Sequence, residues 1–295
     1  MRRTEYLTGI CFILFSSLGL SVTGLLGKIG FRSFTVSGMI FWRFFIAFLI
    51  CLSLLSLFRK RDRKVSLGNF YIHILRAVLV LISQYSFYFF LERSNLMNAV
   101  ALLNTGPLFI PLIERGFLGR RLRASTWISL VISFVGVLFV LQPGNDLFTW
   151  IGLLGLFAGF CQGASQVIFG INSKKEASDV SVFILMTLTS AISFVFYVFS
   201  SEETFVPGAQ LSWDVVLIVM GLGIASVMNQ IFRAEAYKRG SPSKLAVFLY
   251  MSIVFASCFD WLFFHTIPPM LSFLGAALII LGGTVKLYGH WHSER

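Results

Sequence analysis

Apolar runs about 20 residues long, each ended by charges or by a Pro, Gly or polar cluster, follow one another along all 295 residues of this chain. A hydrocarbon core about 30 Å thick takes about 20 residues of helix to cross, and within it every backbone N–H and C=O must be bonded inside the chain. Cutting at the interruptions gives ten spans, at 7–27, 36–58, 69–90, 95–115, 125–142, 150–170, 180–200, 213–234, 243–264 and 269–288. The predicted fold is therefore an all-α membrane protein of ten transmembrane helices. A mean hydropathy of +0.83 agrees, and 33 Phe, 6 Trp and 8 Tyr exceed what a soluble core of this size hides, which excludes a soluble enzyme. Ser16, Ser17, Gly19 and Gly24 are spread through the first run with no small-residue cleavage site behind it, so it is expected to stay as a helix rather than serve as a signal peptide.

The formal net charge of +11 takes its meaning from where the cations fall. With the N-terminus inside, the inner segments hold Arg2, Arg3, the five basic residues between Arg59 and Lys64, Arg115, Arg120, Arg121, Arg123, Lys174, Lys175, Lys238, Arg239, Lys244, Lys286 and Arg295, which is 18 of the 24. The outer segments hold Lys28, Arg32 and Arg93, together with Glu202 and Glu203. The positive-inside rule then predicts both termini in the cytoplasm and a multi-pass protein of the cell (inner) membrane. Such loops set topology and meet anionic headgroups, so the charge calls for no nucleic acid. Cys11, Cys51, Cys161 and Cys258 lie in apolar runs without metal or disulfide spacing; no metal and no cofactor is expected, and monomer and homodimer are both open.

Sliding the chain against itself by 146 residues lays Glu92-Arg93-Ser94 on Lys238-Arg239-Gly240, Gln84 on Gln230, Ser83 on Asn229, Glu114 on Asp260 and Gly136 on Gly282. One offset that serves several successive spans predicts two duplicated units, 1–145 and 146–295, each of five helices. An odd number of spans makes the second unit enter from the opposite side, so the expectation is a pair of inverted five-helix repeats, an architecture of transporters that alternate between inward- and outward-open states.

Four motifs carry a resemblance. They are Phe41-Trp42-Arg43-Phe44-Phe45-Ile46-Ala47, His73-Ile74-Leu75-Arg76, Asn98-Ala99-Val100-Ala101-Leu102 through Pro107, and Leu274-Gly275-Ala276-Ala277-Leu278-Ile279-Ile280-Leu281-Gly282. With them the chain resembles, over essentially its full length, the EamA-type permeases of the drug/metabolite transporter superfamily. The resemblance implies ten helices, cytoplasmic termini, a central cavity and carriage of small metabolites such as amino acids, nucleosides or drugs. The second- and third-span motifs are also similar to those of S-adenosylmethionine permeases within the family. One departure is that members commonly carry a Glu just after the fourth and ninth spans, where this chain has Arg120 and, approximately, His265.

A charge inside a bilayer costs several kcal/mol by insertion scales, so each one needs a reason. Arg43 and Arg76 fall inside the second and third spans; each either snorkels or contacts a carbonyl, or else lines the cavity and grips a substrate carboxylate or phosphate through its planar fork. Arg233 and Glu235 are expected at the inner interface. Gln84, Asn104, Gln162, Gln166, Asn229, Gln230 and Tyr250 fall near span centres and are read either as interhelical hydrogen-bonding groups or as cavity lining, with Tyr88, Tyr85 and Trp42 as an aromatic wall. Asn104 and Tyr250 are equivalent at the 146 offset. Gly155, Gly159 and Gly163 are expected to seat a neighbouring helix, and Pro107 and Pro111 to kink the fourth span. Asp260 is the candidate for proton coupling, although the scarcity of central acids favours exchange or facilitated diffusion.

No nucleophile and base can be paired, and no catalytic group is expected. The reading is a permease for a small zwitterionic or anionic metabolite, S-adenosylmethionine or an amino acid first, working by alternating access. Hydrophobic drug efflux and a non-transporting receptor or scaffold are the alternatives.

Overall fold

The structure is a computed structural model and describes residues 3–30, 33–57, 70–91, 96–119, 124–142, 150, 152–200, 205, 212–265 and 269–291. Arg2, Arg32, the 59–64 cluster, Glu92-Arg93-Ser94, Arg120, Arg121, Arg123, Glu202, Glu203 and Arg295 lie outside the described residues, and so do the topology and repeat matches drawn from them. The described helices are α1 (Arg3–Gly30), α2 (Val36–Leu57), α3 (Phe70–Leu91), α4 (Leu96–Leu103), α5 (Gly106–Leu118), α6 (Ala124–Leu141), α7 (Gly152–Asn172), α8 (Ser178–Phe199), α9 (Trp213–Arg239), α10 (Pro242–Leu245), a 3-10 turn (Ala246–Tyr250), α11 (Met251–Phe264) and α12 (Met270–Trp291). Among the described residues the one extended pairing is the antiparallel bridge between Phe34 and Phe205, whose rings sit 5.1 Å apart.

Nine helical stretches among the described residues are long and apolar enough to cross a membrane, rather than the ten expected. The difference lies at the fourth run, which forms two helices of 8 and 13 residues. Pro107 in the first turn of α5 has no N–H to give the carbonyl of Leu103, so the ladder breaks where a mere kink was expected. Side chains turn back to cover the broken end: Asn104 Nδ2 donates to Val100 O at 2.8 Å and Thr105 Oγ1 to Leu102 O at 2.6 Å. The stretch 242–264 is interrupted too, where the 3-10 turn gives way to α11 after Tyr250. The two breaks, at Asn104 and Tyr250, stand 146 residues apart.

Helices pair across the chain rather than along it: α1 with α9, α3 with α7, α2 with α8 and α6 with α12, with α11 against α1 and α5 against α7. Small residues set these approaches. A Cβ on Gly159 or Gly163 would run into Leu102 O or Gly106 O, at 2.6 and 2.7 Å, so the stripe on α7 holds the broken α4–α5 span within the chain. A Cβ on Gly136 would lie 2.6 Å from Gly275 O, and one on Gly275 would lie 2.5 Å from Gly136 O. At that same α6–α12 crossing Ser133 Oγ donates to Ile279 O at 3.4 Å, a bond between residues themselves 146 apart. Outward, Phe117, Trp150, Phe199, Trp213 and Met270 stand exposed at helix ends, an arrangement that suits acyl chains and headgroups rather than water.

Candidate substrate site

Along α9, Ser226, Asn229, Gln230, Arg233 and Tyr237 recur at spacings of three, four or seven, which puts them on one face of the helix. That face looks into the bundle. Arg233 is 2% exposed, and its Nε donates to Ser16 Oγ of α1 at 3.0 Å, while Ser16 Oγ donates onward to Asn229 Oδ1 at 2.7 Å. Arg76 of α3 is 1% exposed; its Nη2 donates to Gln230 Oε1 at 3.2 Å and its guanidinium lies 3.4 Å over the Phe169 ring of α7. The two guanidiniums are close enough to repel one another.

Other donors in this region are accounted for beside the two arginines, toward the segments that follow α7 and α9. Tyr237 OH donates to Gln166 Oε1 at 3.0 Å, with its ring edge-on to Phe169. His73 pairs with Glu176 at 3.0 Å, with both side chains only 2% exposed, and Asn172 is 3.5 Å from the other ring nitrogen. Ser243 Oγ donates to the fully buried Glu114 carboxylate at 2.5 Å. These contacts tie α3, α5, α7 and α9 to the short segments that follow α7 and α9, closing one end of the bundle with side chains from both halves.

The predicted residues fall into separate groups. Arg76 and Gln230 meet directly. Arg43 does not join them: its Nε donates to Ser226 Oγ at 2.9 Å and it interacts electrostatically with Tyr88. Tyr88 is 12 residues beyond Arg76 on α3, about 18 Å along the axis at 1.5 Å per residue. Gln84, Asn104 and Gln162 are half-buried, and the Asn104 amide is engaged with its own helix end. Tyr250 is fully buried with its OH lacking a partner in the structure, its ring 6.4 Å from Phe134. Asp260 lies at the surface, its carboxylate 2.9 Å from Lys28 Nζ with both side chains about half exposed; Glu114, its counterpart at the 146 offset, is the buried acid instead.

Arg233 is a correction. The two-residue spacing points Arg233 and Glu235 in different directions, about 200° apart, and both are expected at the interface. Glu235 faces Ser178, Lys238 and Arg239 on the opposite side, while Arg233 faces inward. The polar stripe of α9 was the signal that separates them.

Broken spans, helices paired across the chain and charged side chains sealed inside an apolar bundle define a multi-pass membrane transport protein. The chain belongs to the EamA-like transporter family, whose model matches it twice, over residues 7–142 and 149–286. Curated relatives are named for transport rather than for catalysis. The pseudopaline exporter CntI of Pseudomonas aeruginosa (strain UCBPP-PA14) is 25% identical over 279 residues, covering 93% of this chain and 94% of that protein. A riboflavin transporter of Rhizobium johnstonii is 27% identical over 287 residues, 96% of this chain and 90% of the relative. An S-adenosylmethionine uptake transporter of Rickettsia conorii is 24% identical over 278 residues, 93% and 90%. A solved crystal structure superposes over 100% of both chains with a TM-score of 0.77 at 17% identity, a likeness of fold.

Proposed function

We propose that the chain is a permease that moves a small zwitterionic or anionic metabolite, such as S-adenosylmethionine or an amino acid, across the cell (inner) membrane by alternating access. The observation that carries this reading is Arg76: a guanidinium 1% exposed within a membrane span, with Nε and Nη1 lacking acceptors, is costly to keep unless an anionic group completes it. Arg43 of α2, half-buried and interacting with Tyr88, which lies about 18 Å along α3 from Arg76, adds positive potential to the same path. Gln84, Tyr88, Asn104, Gln162, Gln230 and Tyr250 orient the solute between them.

Alternation is read from the recurrence at 146 residues. With each interrupted stretch counted as one span, 1–145 and 146–295 hold five spans each, and swapping every helix for its counterpart turns the α1–α9 contact into α7–α3 and leaves α6–α12 unchanged. Inverted repeats that rock about their shared axis are supported by that pattern, and the basic segments support cytoplasmic termini. Flux into proteoliposomes preloaded with unlabelled solute tests the reading, with labelled S-adenosylmethionine and a panel of amino acids outside. Counterflow of one of them, lost in Arg76→Ala protein that inserts normally, is expected; a silent panel beside a working control permease sinks the metabolite class.

A further inference from the structure

Resting on that reading, we infer that Arg76 and Arg233 together form an oxyanion subsite, and that its occupant is a carboxylate of the transported metabolite. Sequence reasoning gave the anionic role to Arg43 and Arg76; the structure assigns the second guanidinium to Arg233. Three atoms carry the inference: Arg76 Nε, Arg76 Nη1 and Arg233 Nη2 are buried donors with no acceptor, on side chains 1% and 2% exposed. Among the described residues no carboxylate is within ion-pair distance of either guanidinium. The two buried acids nearby are bonded to other groups: Glu176, which attracts Arg76 only from beyond ion-pair distance, to His73, and Glu114 to Ser243.

The donors that are satisfied explain how the others are aimed. Phe169 covers the face of Arg76, and stacking on a ring occupies the face of a guanidinium while leaving its N–H edge open for in-plane bonds to a carboxylate. Gln230 on Nη2 of Arg76 and Ser16 on Nε of Arg233 fix the two planes from α9 and α1. Two like charges held together in an apolar interior repel, and an anion between them removes that repulsion and supplies the missing acceptors at once. Arg76 belongs to the first half of the chain and Arg233 to the second, so an occupied subsite also bonds the two halves to each other.

The test uses the purified full-length protein in lipid nanodiscs, with thermal unfolding followed in sodium acetate and in sodium chloride at equal ionic strength. Acetate is expected to raise Tm by about 2–4 °C over chloride, and the difference is expected to vanish in Arg76→Gln and in Arg233→Gln. Where a Gln variant does not fold, Arg233→Lys keeps the charge without the planar fork and is expected to retain less than half of the difference. No acetate effect in the unaltered protein, or one that survives both substitutions, overturns the subsite. Inorganic phosphate acting through both arginines while acetate does nothing overturns the carboxylate. Counterflow of S-adenosylmethionine and of its decarboxylated form at equal rates overturns the subsite and leaves transport standing. An acetate effect that needs both arginines, in protein that carries nothing on the panel, upholds the subsite and removes the transport reading.

Discussion

Gly119 and His265 stand 146 residues apart and end α5 and α11 in the same way. Each adopts the left-handed conformation, with φ of 63° and 52°, and each donates its N–H to the carbonyl five residues back, on Glu114 and Asp260. Only the first is a glycine. A side chain at such an angle costs about 1–2 kcal/mol, so His265→Gly is expected to stabilise the protein by about 1 kcal/mol and Gly119→Ala to destabilise it by a similar amount, read as opposite shifts of Tm in detergent.

In the proposed reading, loss of Arg76 removes charge-assisted hydrogen bonds from the solute. Such bonds contribute about 1.5–3 kcal/mol each, so Arg76→Ala should lower kcat/KM in counterflow by at least about tenfold, with unchanged amounts of inserted protein. Arg76→Lys should recover little of that loss, because an ammonium neither stacks flat on Phe169 nor presents a fork.

Two acidic pairs should separate sharply. Glu176→Ala leaves buried His73 without its acceptor and is expected to destabilise by about 1–3 kcal/mol in thermal or denaturant unfolding. Asp260→Ala breaks an ion pair whose partners are about half exposed, a change expected to cost under about 1 kcal/mol and to leave counterflow within about twofold. A large transport defect in the second variant would restore Asp260 as the coupling acid.

Glycine spacing gives a contrast within one experiment. A methyl on Gly163 would lie 2.7 Å from Gly106 O, a backbone atom that has no room to yield, so Gly163→Ala should destabilise by about 1–3 kcal/mol. Gly24, inside α1, has nothing within 4 Å, and Gly24→Ala should be neutral or stabilising by up to about 1 kcal/mol through helix propensity. Parallel melting curves of the two variants decide it.

Much of the fold was legible because apolar run length is a strong constraint: most helix boundaries fall within a few residues of the cuts made at charges and Pro-Gly clusters. The break before Pro107 was half legible, since a proline announces a lost hydrogen bond but not whether the helix bends or stops. The site was read less well. Depth in the spans is one coordinate: it picks out Arg76 and Gln230, which meet, but it does not show that Arg43 packs by Tyr88, about 18 Å along α3 from Arg76. The two-residue spacing already separates Arg233 from Glu235 around the helix, but which of them faces inward is decided by packing, for which the polar periodicity along α9 is the sequence signal. The pairs His73–Glu176 and Ser243–Glu114 could not be read from sequence, because partners drawn from α3 and the turn after α7, or from α5 and the segment after α9, meet only through tertiary packing.

The crossing of α6 and α12 has a mechanical consequence. Where Gly136 meets Gly275 main chain lies directly on main chain, flanked by the side chains of Val140 and Ile279, with Ser133 Oγ bonded to Ile279 O beside it. Interleaved side chains act like gear teeth and resist turning, whereas two smooth rods in contact swivel freely but do not separate without losing their close contact. In the proposed alternation this crossing serves as a fulcrum: a turn there that widens one mouth of the bundle would narrow the other.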